Sequence, residues 1–257
     1  MSAVAVTRIR KPVQSWAKDT LPPFTDEDVL YPESDGEPMA DSTLQWDWIT
    51  RIKNSLEKVF ENDENVFIAG DHFWYPVEGS PEIRTAPDAM VILGRPKGHR
   101  RSYRQWREEG IAPQVTFEIW SHSNRPGDKE KKLDFYEKYG VEEYYTYDPR
   151  PRKRIMEGWI RQNDVLVKIP KMNEWVSPLL GVQFRRANDG EWNLYFSNGE
   201  PFMDFVDIYR QREDARQEAR KLRIQEVLAR QQVKAERAAK EAAWAKLREL
   251  GIDPEKL

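Results

Sequence analysis

The chain of 257 residues contains no cysteine. Disulfides and thiolate metal sites are therefore excluded, whereas cations that prefer oxygen ligands remain possible. Only three histidines are present, His72, His99 and His122, and their positions match no zinc-ligand spacing. Neither the G-x-S-x-G motif of serine hydrolases nor the G-x-x-x-x-G-K-[ST] phosphate loop occurs, so these two enzyme classes have no support.

Long apolar runs are also missing. No segment approaches the roughly 20 apolar residues of a membrane span, and the first ten residues lack the apolar stretch of a signal peptide. We therefore expect a cytoplasmic protein with no membrane partner, and the absence of cysteine fits a reducing compartment.

Net charge is small, at −3, and does not by itself indicate a nucleic-acid-binding protein. The distribution of charge is more informative. Residues 210–250 contain twelve lysines and arginines but only seven acids. A local basic stripe is sufficient for phosphate contacts, so the overall acidity does not exclude DNA as a partner.

Two acidic residues stand out because each interrupts a short apolar run that predicts a buried strand. Asp88 begins the run Asp-Ala-Met-Val-Ile-Leu, and Glu118 lies within Val-Thr-Phe-Glu-Ile-Trp. A carboxylate in such a run is costly unless it has a partner, and a divalent cation is the commonest partner for two acids at the ends of adjacent strands.

A predicted helix follows the second acid. Asp128, Lys132 and Tyr136 are spaced i, i+4 and i+8, so they share one helical face, and Lys132 can reach back toward the strand ends. Two acids, a lysine and a metal ion are the groups needed to hydrolyse a phosphodiester. Solvated acids beside a lysine-rich amphipathic helix give the same spacing, and this alternative stays open at this point.

The order of these motifs resembles the Uma-two family of restriction endonucleases over residues 35–170. The matching pieces are Ala86-Pro87-Asp88, Phe117 to Ser121, Asp128 to Tyr136, Tyr139 to Tyr145 and Tyr147-Asp148-Pro149. The resemblance implies an α/β restriction-endonuclease-like fold with a mixed central sheet flanked by helices, a Mg²⁺ or Mn²⁺ cofactor, and DNA as substrate. It also implies that Asp88 and Glu118 bind the metal, with the backbone carbonyl of Ile119 as a further ligand.

One position departs from the pattern of the wider nuclease superfamily. The lysine expected two residues after Glu118 is replaced by Trp120, and the resemblance implies that Lys132 supplies it from the helix. Two alternatives remain, the first favoured by Trp120 and the second left open because DNA and RNA hydrolysis share metal and phosphate chemistry. The chain could be a catalytically inactive nuclease fold that serves as a nucleic-acid-binding or assembly module, or its substrate could be RNA.

The pattern along the chain predicts three parts: an N-terminal surface arm over residues 1–35, the nuclease-like domain over 36–204, and a helical appendage over 205–257. In the domain we expect a helix capped by Asp41 or Ser42, with an apolar stripe of Leu44, Trp48, Ile52, Leu56 and Phe60. Asp41, Asp47 and Gln45 are candidates for reaching the active site from this helix. Strands are expected at 66–69, 72–77, 88–93, 115–120 and 143–147, then a hairpin turning at Asn163-Asp164 and an irregular region over 174–195.

Two further features bear on partners. A basic segment between the two acids suits phosphate contacts, although an unliganded surface loop is an equal alternative; its cations are Arg95, Lys97, Arg100, Arg101 and Arg104. The appendage predicts one long helix over 205–249 whose heptad seam is weak, so we expect a short homodimer contact rather than an extended coiled coil.

Overall fold

The computed structural model describes residues 24–34 and 40–249. The chain forms two compact units, Met1–Asp204 and Phe205–Leu257. Most of the predicted N-terminal arm, residues 1–23 and 35, lies outside the described residues. Within its described part, helix α1 (Asp26–Leu30) is followed by Tyr31, which is buried.

The strands of the first unit are β1 Val66–Ala69, β2 Trp74–Tyr75, β3 Ala89–Leu93, β4 Tyr103–Arg104, β5 Val115–Ile119, β6 Glu143–Asp148, β7 Ile155–Gln162, β8 Val165–Lys168, β9 Trp175–Val176, β10 Gln183–Arg186 and β11 Trp192–Tyr195. A mixed six-stranded sheet lies at the centre, in the order β1-β3-β5-β6-β7-β8. Of its neighbouring strands only β5 and β6 run parallel, as the predicted strand, helix, strand succession requires. The predicted α/β class with a mixed sheet is confirmed.

Helix α2 (Thr43–Val59) covers one face of the sheet. Ser42 caps it by accepting a hydrogen bond from the backbone N–H of Gln45 at 3.2 Å, as predicted. Trp48, Ile52 and Leu56 are buried against the sheet. The predicted stripe was wrong at Leu44, which is 39% exposed, because the buried face is rotated toward Gln45 and Ile49.

Helix α3 (Asp128–Tyr139) covers the opposite face. Side chains alternate along a strand, so Val115, Phe117 and Ile119 point into the α2 side. Glu118 consequently points to the α3 side. This alternation decides which helix can reach the acid.

The sequence predicted an irregular region over residues 174–195, and this prediction was wrong. Strands β9, β10 and β11 form a separate antiparallel sheet, which packs on the α2 side of the core through Phe184 and Leu194. Gly158 in β7 permits the close approach of the segment between β8 and β9, because a Cβ there would lie 2.8 Å from the Met172 sulfur. The sequence did not reveal β9, β10 and β11, because strands this short contain too few alternating residues to show a period of two.

The hairpin between β7 and β8 turns at Asn163 and Asp164 as predicted, with φ of 48° and 67°. Both residues adopt the left-handed conformation that a type I′ turn requires. Strand β8 forms one edge of the sheet.

The second unit contains helix α4 (Phe205–Glu249), the long C-terminal helix that the sequence predicts. Its apolar side chains are spread along the exposed surface of the helix, including Leu222, Ile224, Val227, Leu228 and Val233. The predicted stop at Gly251 and Pro254 lies outside the described residues. Within the described chain no helix has the length and apolar character needed to span a membrane.

Candidate active site

Asp88 and Glu118 come together at the end of β3 and β5. The two strands pair in antiparallel register with Ala89 opposite Phe117, and Asp88 directly precedes β3. Its carboxylate accepts a hydrogen bond from the backbone N–H of Ile119, the residue after Glu118. The end of the β3–β5 pair therefore brings together the two acids that the sequence singled out.

Both carboxylates are buried, with 8% of Asp88 and 6% of Glu118 exposed. Burial, and next the nearby charge of Glu118, raise the pKa of Asp88 well above its ordinary value. The backbone N–H of Ile119 donates to Asp88 Oδ2 at 2.5 Å and opposes this rise in pKa. Two such acids at close range destabilise the fold unless positive charge offsets them.

Part of that positive charge comes from helix α3. Lys132 Nζ lies 2.8 Å from Glu118 Oε1, and the hydroxyl of Tyr136, one turn further along the helix, donates to the same oxygen. Both residues lie on the helical face that the i, i+4 spacing predicted. The role of Tyr136 was missed because an aromatic residue at helical spacing usually indicates core packing.

Lys132 has two further acceptors besides Glu118. Its ammonium donates to Thr85 Oγ1 at 2.9 Å and to the carbonyl of Ala86 at 3.2 Å. An ammonium group has three N–H donors, so all three are in use. Lys132 thus connects helix α3, the acid of β5 and the segment that leads into Asp88.

Both backbone polar groups of Ile119 form hydrogen bonds with side chains. Its N–H donates to Asp88, and its carbonyl accepts a hydrogen bond from Gln45 Nε2 at 2.9 Å. Gln45 is the residue of helix α2 that reaches the site, although it does so through the backbone rather than toward a phosphate. A carbonyl oxygen has two lone pairs, so this bond leaves Ile119 one position for another ligand.

Asp41 and Asp47, the two acids that the sequence nominated at the start of helix α2, form no hydrogen bond or ion pair with active-site residues among the described residues. Asp41 accepts hydrogen bonds from Ser121 Oγ at 2.6 Å and from Ser123 Oγ, and these two bonds lower its pKa. Asp47 is exposed. Neither has a contact that supports the suggested active-site role.

Asp71 is a further acid near the site that the sequence reading missed. Its backbone N–H donates to the carbonyl of Asp88 at 3.3 Å, and its charge contributes to the raised pKa of Asp88. The signal was available, because Gly70-Asp71 directly follows the predicted strand β1. An acid in a turn is so common that position alone does not distinguish it.

Trp120 occupies the position where the superfamily pattern has a lysine. Its backbone N–H continues the β5–β6 pairing by donating to the carbonyl of Tyr147 at 2.7 Å, and only 9% of the residue is exposed. The indole cannot replace an ammonium as a charged group. The only lysine that contacts Glu118 in the described chain is Lys132.

The basic segment is folded into ion pairs rather than presented as a free basic surface. Glu108 pairs with Arg95 at 2.8 Å and with Arg100 at 2.6 Å, and each arginine side chain is only 7% exposed. Lys97 donates to the carbonyls at the end of helix α2. The other two cations of the segment pair with acids of α1 and of the residues just after it. Arg104 pairs with Glu27 and Asp28, and Arg101 pairs with Glu33.

This arrangement gives all five predicted DNA-contacting cations a structural partner. The sequence could not reveal it, because the partner acids come from distant segments such as α1 or from Glu108 in the same loop. Direct binding of DNA by the three least exposed arginines, Arg95, Arg100 and Arg104, would require breaking buried ion pairs.

The residues present fit a hard divalent cation. Within the described ranges, Asp88 Oδ1 and Glu118 Oε2 accept no hydrogen bond, so one oxygen of each carboxylate is available. The buried hydroxyl of Tyr144, which interacts electrostatically with both acids, has no hydrogen-bond partner there either. No group of three or more histidine or acidic side chains able to hold a metal occurs among the described residues, so the pair would need backbone or water oxygens to complete its ligands.

Comparison with known proteins gives a family for this chain. Residues 21–187 match the family model described as "Uma2: Putative restriction endonuclease". The matched residues include all of 35–170, the range over which the sequence resembles that family. A solved structure described as a putative nuclease belonging to DUF820, from Anabaena variabilis ATCC 29413, is 16% identical, covering 61% of this chain and 89% of that chain, with a TM-score of 0.39. No curated protein matches the chain.

Proposed function

The chain belongs to the Uma2 family, whose model is described as "Putative restriction endonuclease", and from this premise we propose that it is a metal-dependent endonuclease that hydrolyses phosphodiester bonds in DNA. The observation that carries the proposal is the buried pair Asp88 and Glu118, with the ammonium of the half-buried Lys132 bonded to Glu118. If the two acids were only structural, hydrogen bonds to both oxygens of each carboxylate would be expected. Asp88 Oδ1 and Glu118 Oε2 accept none from the described residues.

Asp88 and Glu118 would hold Mg²⁺ or Mn²⁺ through Asp88 Oδ1 and Glu118 Oε2, with the Ile119 carbonyl as a further oxygen ligand. A bound divalent cation neutralises the non-bridging phosphate oxygens and lowers the pKa of water. The hydrogen bonds from Ile119, Lys132 and Tyr136 fix the rotamers of both acids, and such outer contacts raise the affinity of a site for its metal.

Lys132 has two roles in this proposal. It offsets the charge of Glu118 before the cation arrives. Once a cation shares that task, one N–H of the ammonium can turn from Thr85 or Ala86 toward a phosphate oxygen, where a positioned cation stabilises developing negative charge.

The experiment that tests the proposal is cleavage of plasmid and of linear duplex DNA by the purified chain with Mg²⁺, with Mn²⁺ and with EDTA. We expect cuts with either cation and none with EDTA, and none by Asp88→Asn. An RNA of the same sequence, included in parallel, distinguishes the two substrates because only RNA carries the 2′-hydroxyl.

The rival function, a nuclease fold that binds without cutting, predicts a different pattern. It gives no cleavage with any cation, while DNA binding persists in Asp88→Asn. Trp120 in the superfamily lysine position is the feature that favours this rival, and the contact of Lys132 with Glu118 is the feature that favours catalysis.

We also propose that the protein is a homodimer through helix α4. The support is the set of exposed apolar side chains along this helix, of which Leu222, Ile224, Val227 and Leu228 are close together in sequence, since grouped apolar side chains are usually covered in the working assembly. The weak heptad pattern indicates a short contact rather than a long zipper.

A further inference from the structure

Strand β1 forms the edge of the central sheet that is opposite to β8. Its antiparallel register with β3 begins one residue earlier, where the backbone N–H of Gly94 donates to the carbonyl of Asn65 at 2.8 Å, and the same register continues past the end of β1. Residues along an edge strand alternate between bonding to the neighbouring strand and pointing away from it. The backbone N–H and C=O groups that point away from β3 are therefore those of Val66, Ile68 and Gly70.

These outward backbone groups are unpaired. No hydrogen bond joins them to any residue in the part of the chain that the structure describes. The other edge of the sheet differs, because the backbone N–H of Leu166 in β8 donates to the side chain of Glu137 at 2.8 Å. A row of unpaired backbone groups at a sheet edge is a template for a further strand. Strand β1 therefore offers an open edge, whereas a side chain partly closes the edge at β8.

A cleft of about 660 Å³ follows the open edge. Its lining includes every residue from 66 to 70 and no residue of β3, so the cleft lies on the side of β1 that faces away from the sheet. The side chains of Val66 and Ile68 are buried in the core, and it is their outward backbone groups that face the cleft. Its walls are helix α2, through Lys53 and Glu57, and the segment 97–100.

The charges around the cleft do not select an ion. Three cations and three acids line it: Lys53, Lys97, Arg100, Glu57, Glu61 and Glu64. Charge therefore favours neither an anionic nor a cationic ligand. What the cleft offers is backbone pairing, and the ligand that uses it is an extended segment of polypeptide.

The described chain begins beside one wall of this cleft. The guanidinium of Arg101 lies over the ring of Phe24, 5.1 Å from its centroid, and Arg101 directly follows the wall residue Arg100. Residues 1–23 precede Phe24 and lie outside the described residues. At roughly 3.3 Å per residue, residues 11–23 can span up to about 43 Å, so a segment before them can reach the cleft.

One run within residues 1–23 has the composition of a strand. Residues 3–10 are Ala-Val-Ala-Val-Thr-Arg-Ile-Arg, of which half are β-branched and none is proline or glycine. Prolines at positions 12, 22 and 23 interrupt the residues that follow, and proline has no N–H for a ladder. Residues 3–10 are therefore the part of this segment best suited to pair with β1.

We propose that residues 3–10 of the same chain lie in this cleft and add a strand to the open edge of β1. The added strand supplies partners for the backbone groups of Val66, Ile68 and Gly70. It also closes this edge against pairing with other chains. The proposal does not depend on the metal site or on phosphodiester hydrolysis.

The test is amide hydrogen exchange in the full ¹⁵N-labelled chain, followed residue by residue by NMR. The double variant Ala5→Pro/Val6→Pro removes two successive N–H donors, so one of them faces β1 in either register. The amide of Ile68 should exchange about tenfold faster in this variant, because it loses the partner that the added strand supplies. The amides of Phe67 and Ala69, which bond to β3, should keep the wild-type rate.

The matched control is Gln14→Pro/Ser15→Pro, which introduces the same two prolines outside the run. It should leave the exchange of Ile68 at the wild-type rate. Equal exchange of Ile68 in the wild type and in Ala5→Pro/Val6→Pro would overturn the proposal. Equal acceleration by the control variant would overturn it as well, because the effect would not belong to residues 3–10.

A second measurement distinguishes this segment from another copy of the chain. Because the chain has no cysteine, Thr7→Cys carries a nitroxide at a single position. When one chain carries both the nitroxide and ¹⁵N and is diluted into an excess of unlabelled chain, the amide signal of Ile68 should broaden. A mixture of nitroxide-labelled chain with separate ¹⁵N-labelled chain should show no broadening. Broadening in the mixture alone would assign the cleft to a second copy, and none in either sample would place residues 3–10 elsewhere; both results contradict the proposal.

Discussion

Lys132 and Glu118 are 14 positions apart in sequence and belong to different layers of the domain, yet their charged atoms Nζ and Oε1 lie 2.8 Å apart. The contact joins helix α3 to strand β5 at the buried acid pair. It gives the site the lysine that position 120 lacks.

The first prediction concerns this lysine. Lys132→Ala should lower the single-turnover cleavage rate by roughly 10²-fold at saturating Mg²⁺, the scale on which one placed donor acts on developing charge. Lys131→Ala should cleave at the wild-type rate because its side chain is exposed. Lys129 is a poorer control, since it pairs with Glu157. Equal rates for Lys132→Ala and the wild type would remove the lysine from the mechanism.

The second prediction concerns the stability of the acid pair. The pKa of Asp88 is raised by burial and by Glu118. Stability from such a group is present below its unfolded pKa and is lost as pH rises through its folded pKa. Asp88→Asn should therefore melt at a higher temperature than the wild type in EDTA, with a larger gain at pH 8 than at pH 5. Thermal melts at both pH values test this, and a lower melting temperature at both is the opposing result.

The third prediction concerns Tyr136, whose hydroxyl donates to Glu118. Tyr136→Phe keeps the ring packing and removes one hydrogen bond to a proposed ligand. Loss of such an outer contact typically lowers metal affinity 10- to 100-fold. Calorimetric titration with Mn²⁺ measures the change, and Tyr139→Phe, on the same helix, serves as the control. Unchanged affinity in Tyr136→Phe would show that the hydroxyl does not orient Glu118.

The fourth prediction concerns the basic segment. Glu108 holds Arg95 and Arg100 together in a mostly buried cluster. Glu108→Ala leaves both guanidinium groups without this partner and should destabilise the domain by about 3 kcal/mol. Urea denaturation measures the loss. If the segment were a free DNA-binding surface, Glu108→Ala would instead leave stability unchanged and tighten DNA binding.

The fifth prediction concerns helix α4. Because Met1–Asp204 is a compact unit by itself, a chain that ends at residue 204 should remain folded. The proposed homodimer contact predicts that this shorter chain is a monomer by light scattering, whereas the full chain is a dimer. An unchanged oligomeric state would place the dimer contact elsewhere.

The sequence predicted those parts of the fold that depend on local pattern. Strand β1 and the start of helix α3 follow from apolar runs and helical spacing, and the Asn163-Asp164 turn follows from its residue types. The small sheet of β9 to β11 was missed because two- and four-residue strands carry too little alternation to be recognised.

At the candidate site, the sequence alone identified Asp88, Glu118 and Lys132 as candidates, because a charged residue within an apolar run or at helical spacing can be recognised from local sequence. It could not provide their partners. The bond from Gln45 to the carbonyl of Ile119 spans 74 positions, and the pairing of Arg104 with Asp28 spans 76. Contacts between distant segments depend on the tertiary fold, so they required the structure.

The most direct test of the central claim is a crystal of the full chain soaked in Mn²⁺, with anomalous diffraction recorded to locate the cation. We expect an anomalous peak between Asp88 Oδ1 and Glu118 Oε2, at about 2.2 Å from each oxygen, and no peak there in Asp88→Asn. A Mn²⁺ soak that leaves this position without a peak, or that gives the same peak in Asp88→Asn, would contradict it.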